Sequence, residues 1–236
     1  VKLPSGQYRA NPVLECVTTM NIDPKQLNKL VSYMATFDGG VYYPHKRKED
    51  SVVNCQFIMQ MRKENEDYLL WVKETLENIT SVRLTERPDY NTDGYFRQPQ
   101  LRIETNRHPY FTKMRERLYV DNHKVIDPHM LKQMDAEALA IIFMCDGGVS
   151  LDSRNKKPHA RICLHTKGFS YADNMFLSKA IHDATGVITT VNHQGKYYYL
   201  NVATKTHKLF YETVKPYVKP SFDYKFGRIA PVISGW

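Results

Sequence analysis

The feature that most constrains this chain is a pattern written twice, an apolar helix that runs straight into Asp-Gly-Gly. The second copy, Leu139-Ala-Ile-Ile-Phe-Met-Cys-Asp-Gly-Gly148, is the cleaner, and Leu30-Val-Ser-Tyr-Met-Ala-Thr-Phe-Asp-Gly-Gly40 is its weaker echo. In the second, Leu139, Phe143 and Asp146 follow i, i+4, i+7 spacing, which sets a carboxylate on the last turn of the face that packs against a partner. In the first, Leu27, Leu30, Val31 and Met34 form the stripe and Asp38 stands at its foot. The pairs Gly39/Gly40 and Gly147/Gly148 are expected to supply the permissive backbone needed to leave a helix and enter a strand at once. Side by side, the two helices would bring Asp38 and Asp146 to one end of a shared seam. Two carboxylates there meet the negative ends of both macrodipoles and each other, and a divalent cation would relieve both.

A single Asp-Gly-Gly is turn punctuation. Two of them, roughly one small-domain length apart, imply a tandem repeat. Asp23-Pro24 and Asp127-Pro128 read as an N-cap followed by proline at the first helical position, His108-Pro109 opens another helix, and Asp135 caps the second motif helix. The first repeat then continues with strands at 41–43 and 51–61, a helix at 66–78, strands at 81–87 and 95–105, and a helix to 118. The second repeats the order, with 161–167 lying over 56–62 and 197–202 over 98–103. Each unit reads αββαββα. The boundaries are an irregular arm 1–22, repeats 23–120 and 135–227, a connector 121–134 and a tail 228–236.

Composition narrows the function. With 42% hydrophobic and 12% aromatic residues in 236, the chain can build a packed core, which excludes disorder. The longest apolar run, 138–145, is too short to span a bilayer. Lys and Arg outnumber Asp and Glu 33 to 25, and the net charge of +8 biases the chain toward a polyanion; a membrane surface would attract it too, but no amphipathic Lys-rich helix is visible and no small-molecule substrate is expected. Cys16, Cys55, Cys145 and Cys163 show neither zinc spacing nor a disulfide framework. No secretory signal opens the sequence, and the expected location is an organelle matrix or a bacterial or phage cytoplasm.

The strands give the surface. Phe57, Met59 and Met61 alternate with Gln56, Gln60 and Arg62, while Leu101 and Ile103 alternate with Gln98, Gln100, Arg102 and Glu104. In the second repeat Arg161, His165 and Lys167, and Tyr197, Tyr199 and Asn201, take the outer faces. One such face is a solvated sheet. Two of them, in a basic duplicated chain, form a long surface able to read base edges from the major groove. Arg83, Arg97, Arg154, Lys156, Lys157 and Asn192 join the candidate DNA-binding set.

At this point the residues resemble a known family. Residues 139–147 look like the motif of the LAGLIDADG homing endonucleases, and 31–39 like a degenerate first copy. Residues 121–128, 139–151 and 215–225 are similar to the branch represented by the yeast mitochondrial omega-intron enzyme. The resemblance implies an α+β fold in which two antiparallel sheets form a DNA-binding saddle around two central motif helices. It further implies a monomer that cuts both strands of duplex DNA at a long asymmetric site. Asp38 and Asp146, with Gly39 and Gly147, would hold Mg2+, with Mn2+ able to substitute and Ca2+ binding without cleavage. Lys124 and Lys225 would stand near the scissile phosphates, and Arg62 and Lys167 in the polar shell around the attacking water. The family usually has small residues where the motif helices cross, whereas this chain has Tyr33, Phe37 and Ile141, with Ser32, Ala35 and Ala140 as small neighbours. Either the backbones are held further apart or these small neighbours compensate. Two alternatives stay open: an RNA-binding maturase acting on intron RNA, and a DNA-binding family member that has lost cleavage. Splicing residues of an intein are not in evidence at either end.

Overall fold

The helices begin where short polar side chains can satisfy free backbone N–H groups. Asp23 accepts hydrogen bonds from the N–H groups of Lys25 and Gln26 at 3.0 and 3.1 Å. Asp127 accepts from His129 at 2.8 Å, Asp135 from Ala138 at 2.9 Å, and the His108 ring from Tyr110 at 3.3 Å. The computed structural model describes residues 22–43, 53–87, 90–92, 95–152 and 159–227. The arm before 22, the tail after 227, and Arg154, Lys156 and Lys157 lie outside the described residues.

The first repeat runs α1 (Pro24–Thr36), β1 (Gly39–Tyr42), β2 (Gln56–Arg62), α2 (Glu66–Glu77), β3 (Val82–Arg87), the pair β4 (Tyr90–Thr92) and β5 (Tyr95–Arg97), β6 (Gln100–Thr105) and α3 (Pro109–Leu118). A connector follows, with β7 (Tyr119–Val120), β8 (His123–Lys124) and α4 (Pro128–Leu131). The second repeat runs α5 (Ala136–Asp146), β9 (Gly147–Asp152), β10 (His159–Leu164), α6 (Tyr171–Thr185), β11 (Thr189–Gln194), β12 (Tyr197–Val202) and α7 (His207–Val214), and closes in 3-10 turns at Lys215–Tyr217 and Pro220–Lys225. Each repeat makes a four-stranded antiparallel sheet with one strand order, β1-β2-β6-β3 and β9-β10-β12-β11. The αββαββα unit is therefore present twice, with a β4–β5 hairpin added to the first.

That hairpin corrects the expected strand 95–105. Pro99 has no N–H to give a ladder and restrains the residue before it, so the strand ends at Arg97 and restarts at Gln100. Arg97 pairs with Tyr90 in the hairpin, and Gln98 lies exposed in the break, so neither belongs to the four-stranded sheet.

Cross-strand register defines what each sheet presents. In the first sheet Gly40, Ile58, Glu104 and Arg83 form one row, Gln60, Arg102 and Thr85 the next, and Arg62, Gln100 and Arg87 a third. In the second, Gly148, Cys163, Asn201 and Thr190 form the row that answers the first of these. Asn201 thus corresponds to Glu104, two positions away from the Arg102 expected from overlaying the sequences. A shift of two keeps every side chain on its face, so the alternation survives while the pairing changes.

Helices α1 and α5 pack against each other at the centre. From Leu30 to Thr36 and from Ala138 to Met144 every residue is buried, so these helices bury all sides rather than one stripe. Tyr33 and Phe37 find partners outside the α1–α5 pair. The Tyr33 hydroxyl donates to the Met130 carbonyl in α4 at 3.0 Å, its ring stacks on Phe37, and Phe37 meets Phe169 edge-on. At the helix starts, the ammonium of buried Lys29 donates to Asp135 at 2.5 Å and Glu137 at 3.0 Å, and Gln26 donates to Glu137 at 2.6 Å. This ties the first turns of α1 and α5 together. Among the described residues no helix is long and apolar enough to cross a membrane.

Lys29→Met leaves Glu137 half-buried without its cation. The variant is expected to lose about 2 kcal/mol of unfolding free energy in urea titration, the scale of a charged hydrogen bond. An unchanged midpoint would show that the ion pair does not hold the helix starts together.

Candidate active site

The far ends of α1 and α5 carry the two acids. Asp38 follows the last residues of α1, with its tip open to solvent and protein packed around it, and Asp146 is the half-buried last residue of α5. Burial pushes the Asp38 carboxyl above its ordinary range, while the Cys145 thiol and the ammonium groups of Lys225 and Lys124 pull it back. Asp146 is pushed up to about 7, first by burial and then by the Asp38 charge, against the opposing pull of Lys124 and Lys225. The Asp38 charge is thus felt at Asp146 across the seam between the repeats.

The two lysines hold these helix ends. Lys124 donates to the carbonyls of Thr36 and Phe37, both at 3.2 Å, and of Gly39 at 2.5 Å. Lys225 donates to the carbonyls of Phe143 at 2.9 Å, Met144 at 2.8 Å and Gly147 at 2.7 Å. An ammonium has three N–H donors, and the carbonyls of a helix C-terminus have no partners within the helix. Each lysine thus caps one motif helix and places a cation beside the acids. Burial lowers both lysine pKa values, Lys225 to about 8, and the two carboxylates oppose that shift.

The glycines serve a different purpose from the one expected. Among the described residues only Gly186 and Gly195 are glycines with positive φ, and Gly147 has φ −78° and ψ 139°, an ordinary extended conformation. What matters is the missing Cβ. At Gly39 it would lie 2.7 Å from the Met34 carbonyl and 2.5 Å from the Phe57 ring, and at Gly147 it would lie 2.3 Å from the Phe143 carbonyl. The chain turns back so sharply over the last helical turn that no side chain fits.

A cleft of about 580 Å³ opens over Asp38, lined also by Gln60, Arg62, Gln100, Cys145, Tyr224 and Lys225. A neighbouring one shares Asp38 with Gln56, Gln60, Arg102 and Glu104. The first acid therefore lies at the foot of the polar sheet face, and Arg62 is near it. Gln60 donates to Gln100, which keeps their amides together on that face. Gln56 stands opposite Tyr42 at its margin. In the second sheet the His165 backbone N–H donates to the Asp146 carbonyl at 2.8 Å, and its Nε2 lies 2.7 Å from where a Cβ on Gly148 would be. Burial holds the His165 pKa below its usual value, and Lys167 and Lys225 add to the effect. Lys167 is drawn outward, donating to Gln194 at 2.9 Å. Arg161 is exposed opposite Ser150, Tyr197 is exposed, Asn192 pairs with Tyr199, and Asn201 accepts from the Cys163 thiol at 3.0 Å.

Thr85 and Arg87, with Thr190 and Gln194, complete the outer strand of each face, and their two-residue spacing from Arg83 and Asn192 is the sequence signal for them. Fully buried Tyr68, whose hydroxyl lies 3.4 Å from the Cys145 sulfur beneath Asp38, left none.

A duplicated αββαββα fold whose central helices end in a pair of acids, beside two polar sheet faces on a basic chain, defines a two-repeat protein with its acids at the seam. The chain belongs to the LAGLIDADG DNA endonuclease family, which matches residues 38–210. Probable intron-encoded endonuclease 1 of Wickerhamomyces canadensis is 26% identical over 176 residues, covering 73% of this chain and 74% of that protein. Protein RecA of Mycolicibacterium flavescens is 26% identical over 237 residues, covering 95% of this chain but only 53% of that protein, so the chain spans about half the length of that relative. Among solved structures, the homing endonuclease I-WcaI bound to its DNA recognition sequence superposes with a TM-score of 0.67 at 20% identity, covering 93% of this chain and 94% of that one. The saddle architecture expected from the sequence is shared with that structure.

The donor set fits a hard divalent cation. Two carboxylates stand at the negative ends of two helices, close enough for the Asp38 charge to raise the proton affinity of Asp146. No group of three His, Cys, Asp or Glu side chains suited to a metal occurs among the described residues, so further oxygens must come from main-chain carbonyls, water or phosphate. The Gly39 and Gly147 carbonyls already accept from the lysines, leaving each with one further lone pair.

Because the native pKa of Asp146 is raised, the folded state binds more protons than the unfolded one between the ordinary carboxylate range and about 7. This group's contribution to stability therefore falls as pH rises through that window. Asp146→Asn is expected to raise the metal-free melting temperature at pH 8 by a few degrees, each kcal/mol being worth about 2–4 °C in a chain this size. The gain should shrink as pH falls from 7 toward 4, and a pH-independent gain would contradict the assigned cause. Lys225→Met, which removes the ammonium donor from the Phe143, Met144 and Gly147 carbonyls while Phe143 keeps the Gly147 N–H, is expected to cost about 1–3 kcal/mol in the same melts.

Proposed function

We propose that this chain hydrolyses both strands of duplex DNA at a long asymmetric site, with Asp38 and Asp146 holding Mg2+ at the seam between the repeats. The observation that carries the reading is the pair of carboxylates at the ends of α1 and α5, both easier to protonate than usual and one of them opening into a cleft continuous with the polar face of a sheet. When bound, the cation would polarise a scissile phosphate and acidify an attacking water.

The protein's own groups position the reaction. Lys124 and Lys225 fix the helix ends so that the acids project from a rigid frame, and their charges favour an approaching phosphate. They act through position and field, since their N–H groups are engaged by carbonyls. Arg62, exposed in the Asp38 cleft, is placed to contact the backbone of the bound duplex. Lys167, paired with Gln194, serves the second sheet instead. Gln56, Gln60, Gln100, Arg83 and Arg102 in one half, and Arg161, His165, Asn192, Tyr197, Tyr199 and Asn201 in the other, face the DNA. One face is rich in amides and guanidinium groups and the other in rings, so the two half-sites differ in sequence.

A library of randomised duplexes in supercoiled plasmid, selected for cleavage in Mg2+, would yield the target. Wild type is expected to linearise that plasmid in Mg2+ or Mn2+ and to bind without cutting in Ca2+. Asp38→Asn or Asp146→Asn should abolish double-strand cleavage while retaining binding in Ca2+. Affinity should fall about a thousandfold from 50 to 200 mM salt. Binding without a nick in any of the three cations would sink the nuclease reading, and retained cleavage in both variants would sink the assignment of the acids.

A further inference from the structure

An acidic residue stands in the middle of the face proposed to meet DNA. Glu104 lies between Ile58 and Arg83 in its row, with Arg102 two positions away on the same strand. Its carboxylate accepts from Arg83 Nη2 at 2.6 Å, from Arg102 Nε at 2.9 Å and from Arg102 Nη2 at 2.5 Å. The Glu104 and Arg102 side chains are only 18% and 21% exposed, while that of Arg83 is 72% exposed. The two arginines hold the Glu104 carboxyl below its ordinary range. A lone carboxylate here would repel phosphates, whereas one shared by two guanidinium groups leaves the cluster with a net positive charge.

The arrangement is confined to one repeat. At the equivalent row of the second sheet Asn201 takes the place of Glu104, Thr190 that of Arg83, and Tyr199, one row on, that of Arg102. Asn201 accepts from the Cys163 thiol and carries no charge. The Arg-Glu-Arg cluster is therefore a property of the first half, not a relic of the duplication.

We infer that Glu104 is a specificity-determining positioning residue, which holds Arg83 and Arg102 as a fixed pair of donors against the base edges of one half-site. Long free cations on such a face are drawn to phosphates, where they add affinity without sequence information. Binding to Glu104 withdraws part of each guanidinium from that competition and sets the direction of its remaining N–H groups. Paired acceptors on guanine are the groups such forks fit. The inference rests on the DNA-recognition reading above.

The test uses the full chain in Ca2+, with binding measured to the selected target and to duplexes changed at one base pair at a time. Glu104→Gln keeps the shape of the side chain, and its melting temperature checks the fold. Discrimination is expected to fall about tenfold at base pairs of one half-site. These should be the base pairs at which Arg83→Ala and Arg102→Ala also lose discrimination, and the other half-site should be unaffected. Affinity for unrelated duplex should rise and its salt dependence steepen, as the freed arginines take phosphates. In the double variant, Glu104→Gln should add nothing to Arg83→Ala at the base pairs read by Arg83.

Full selectivity in Glu104→Gln overturns the inference. So does a loss at a base pair that neither arginine variant affects, which would make Glu104 a direct reader of a cytosine amino group. A uniform loss across both half-sites would reduce the residue to a structural one and overturns it equally. A wild-type chain that prefers no duplex defeats the DNA-recognition reading itself, an outcome visible before any variant is measured.

Discussion

Two helix C-termini that each carry an aspartate meet at the seam between the repeats, and the structure depends on how that accumulation of negative charge is tolerated. Helix dipoles, unpaired carbonyls and two carboxylates all contribute the same sign. The apolar packing of α1 against α5 forces them together, because both helices are buried on every side. Lys124 and Lys225 answer this by giving their N–H groups to the carbonyls and their charge to the acids. Burial nevertheless keeps both carboxyls easier to protonate than usual.

Much of this was legible from residues whose meaning is local. Asp-Pro pairs announce helix starts, alternation announces half-buried strands, and a motif written twice announces a duplication. The acid pair followed from that duplication. What could not be read was set by contacts distant in sequence. Spacing does not reveal that Gly39 and Gly147 are needed for want of a Cβ against the preceding turn, since a tight helix exit and a left-handed glycine look alike in sequence. The overlay of Tyr197 on Gln98 failed because the β4–β5 hairpin and Pro99 alter the length of that segment in the first repeat only. The bridging role of Glu104 depends on a register between β3 and β6 that neither strand specifies alone.

The connectors show how far local structure can differ while serving one purpose. Lys124 is carried by the β7–β8 hairpin, whose turn residues Asp121 and Asn122 have φ of 49° and 62°, the left-handed conformations that a two-residue hairpin requires. Lys225 ends a 3-10 helix. Both ammonium groups nevertheless reach matching carbonyls at the ends of their helices. Equivalence between the repeats resides in where a charge is delivered rather than in the backbone that delivers it.

The repeats are also joined away from the seam. Asp67 in α2 accepts from the Ser221 N–H at 3.0 Å, the Lys219 ammonium lies 4.7 Å from the Trp71 ring centroid, and Tyr68 meets Phe222 edge-on. The segment that brings Lys225 to its helix is thus anchored on the opposite repeat. A chimera that exchanged one half for a foreign unit would carry across its acid and its sheet, yet could misplace the cap on the half it left intact. Modular as the chain looks in duplicate, its natural cutting point for recombination is not the connector alone but the connector together with the docking ledge on α2.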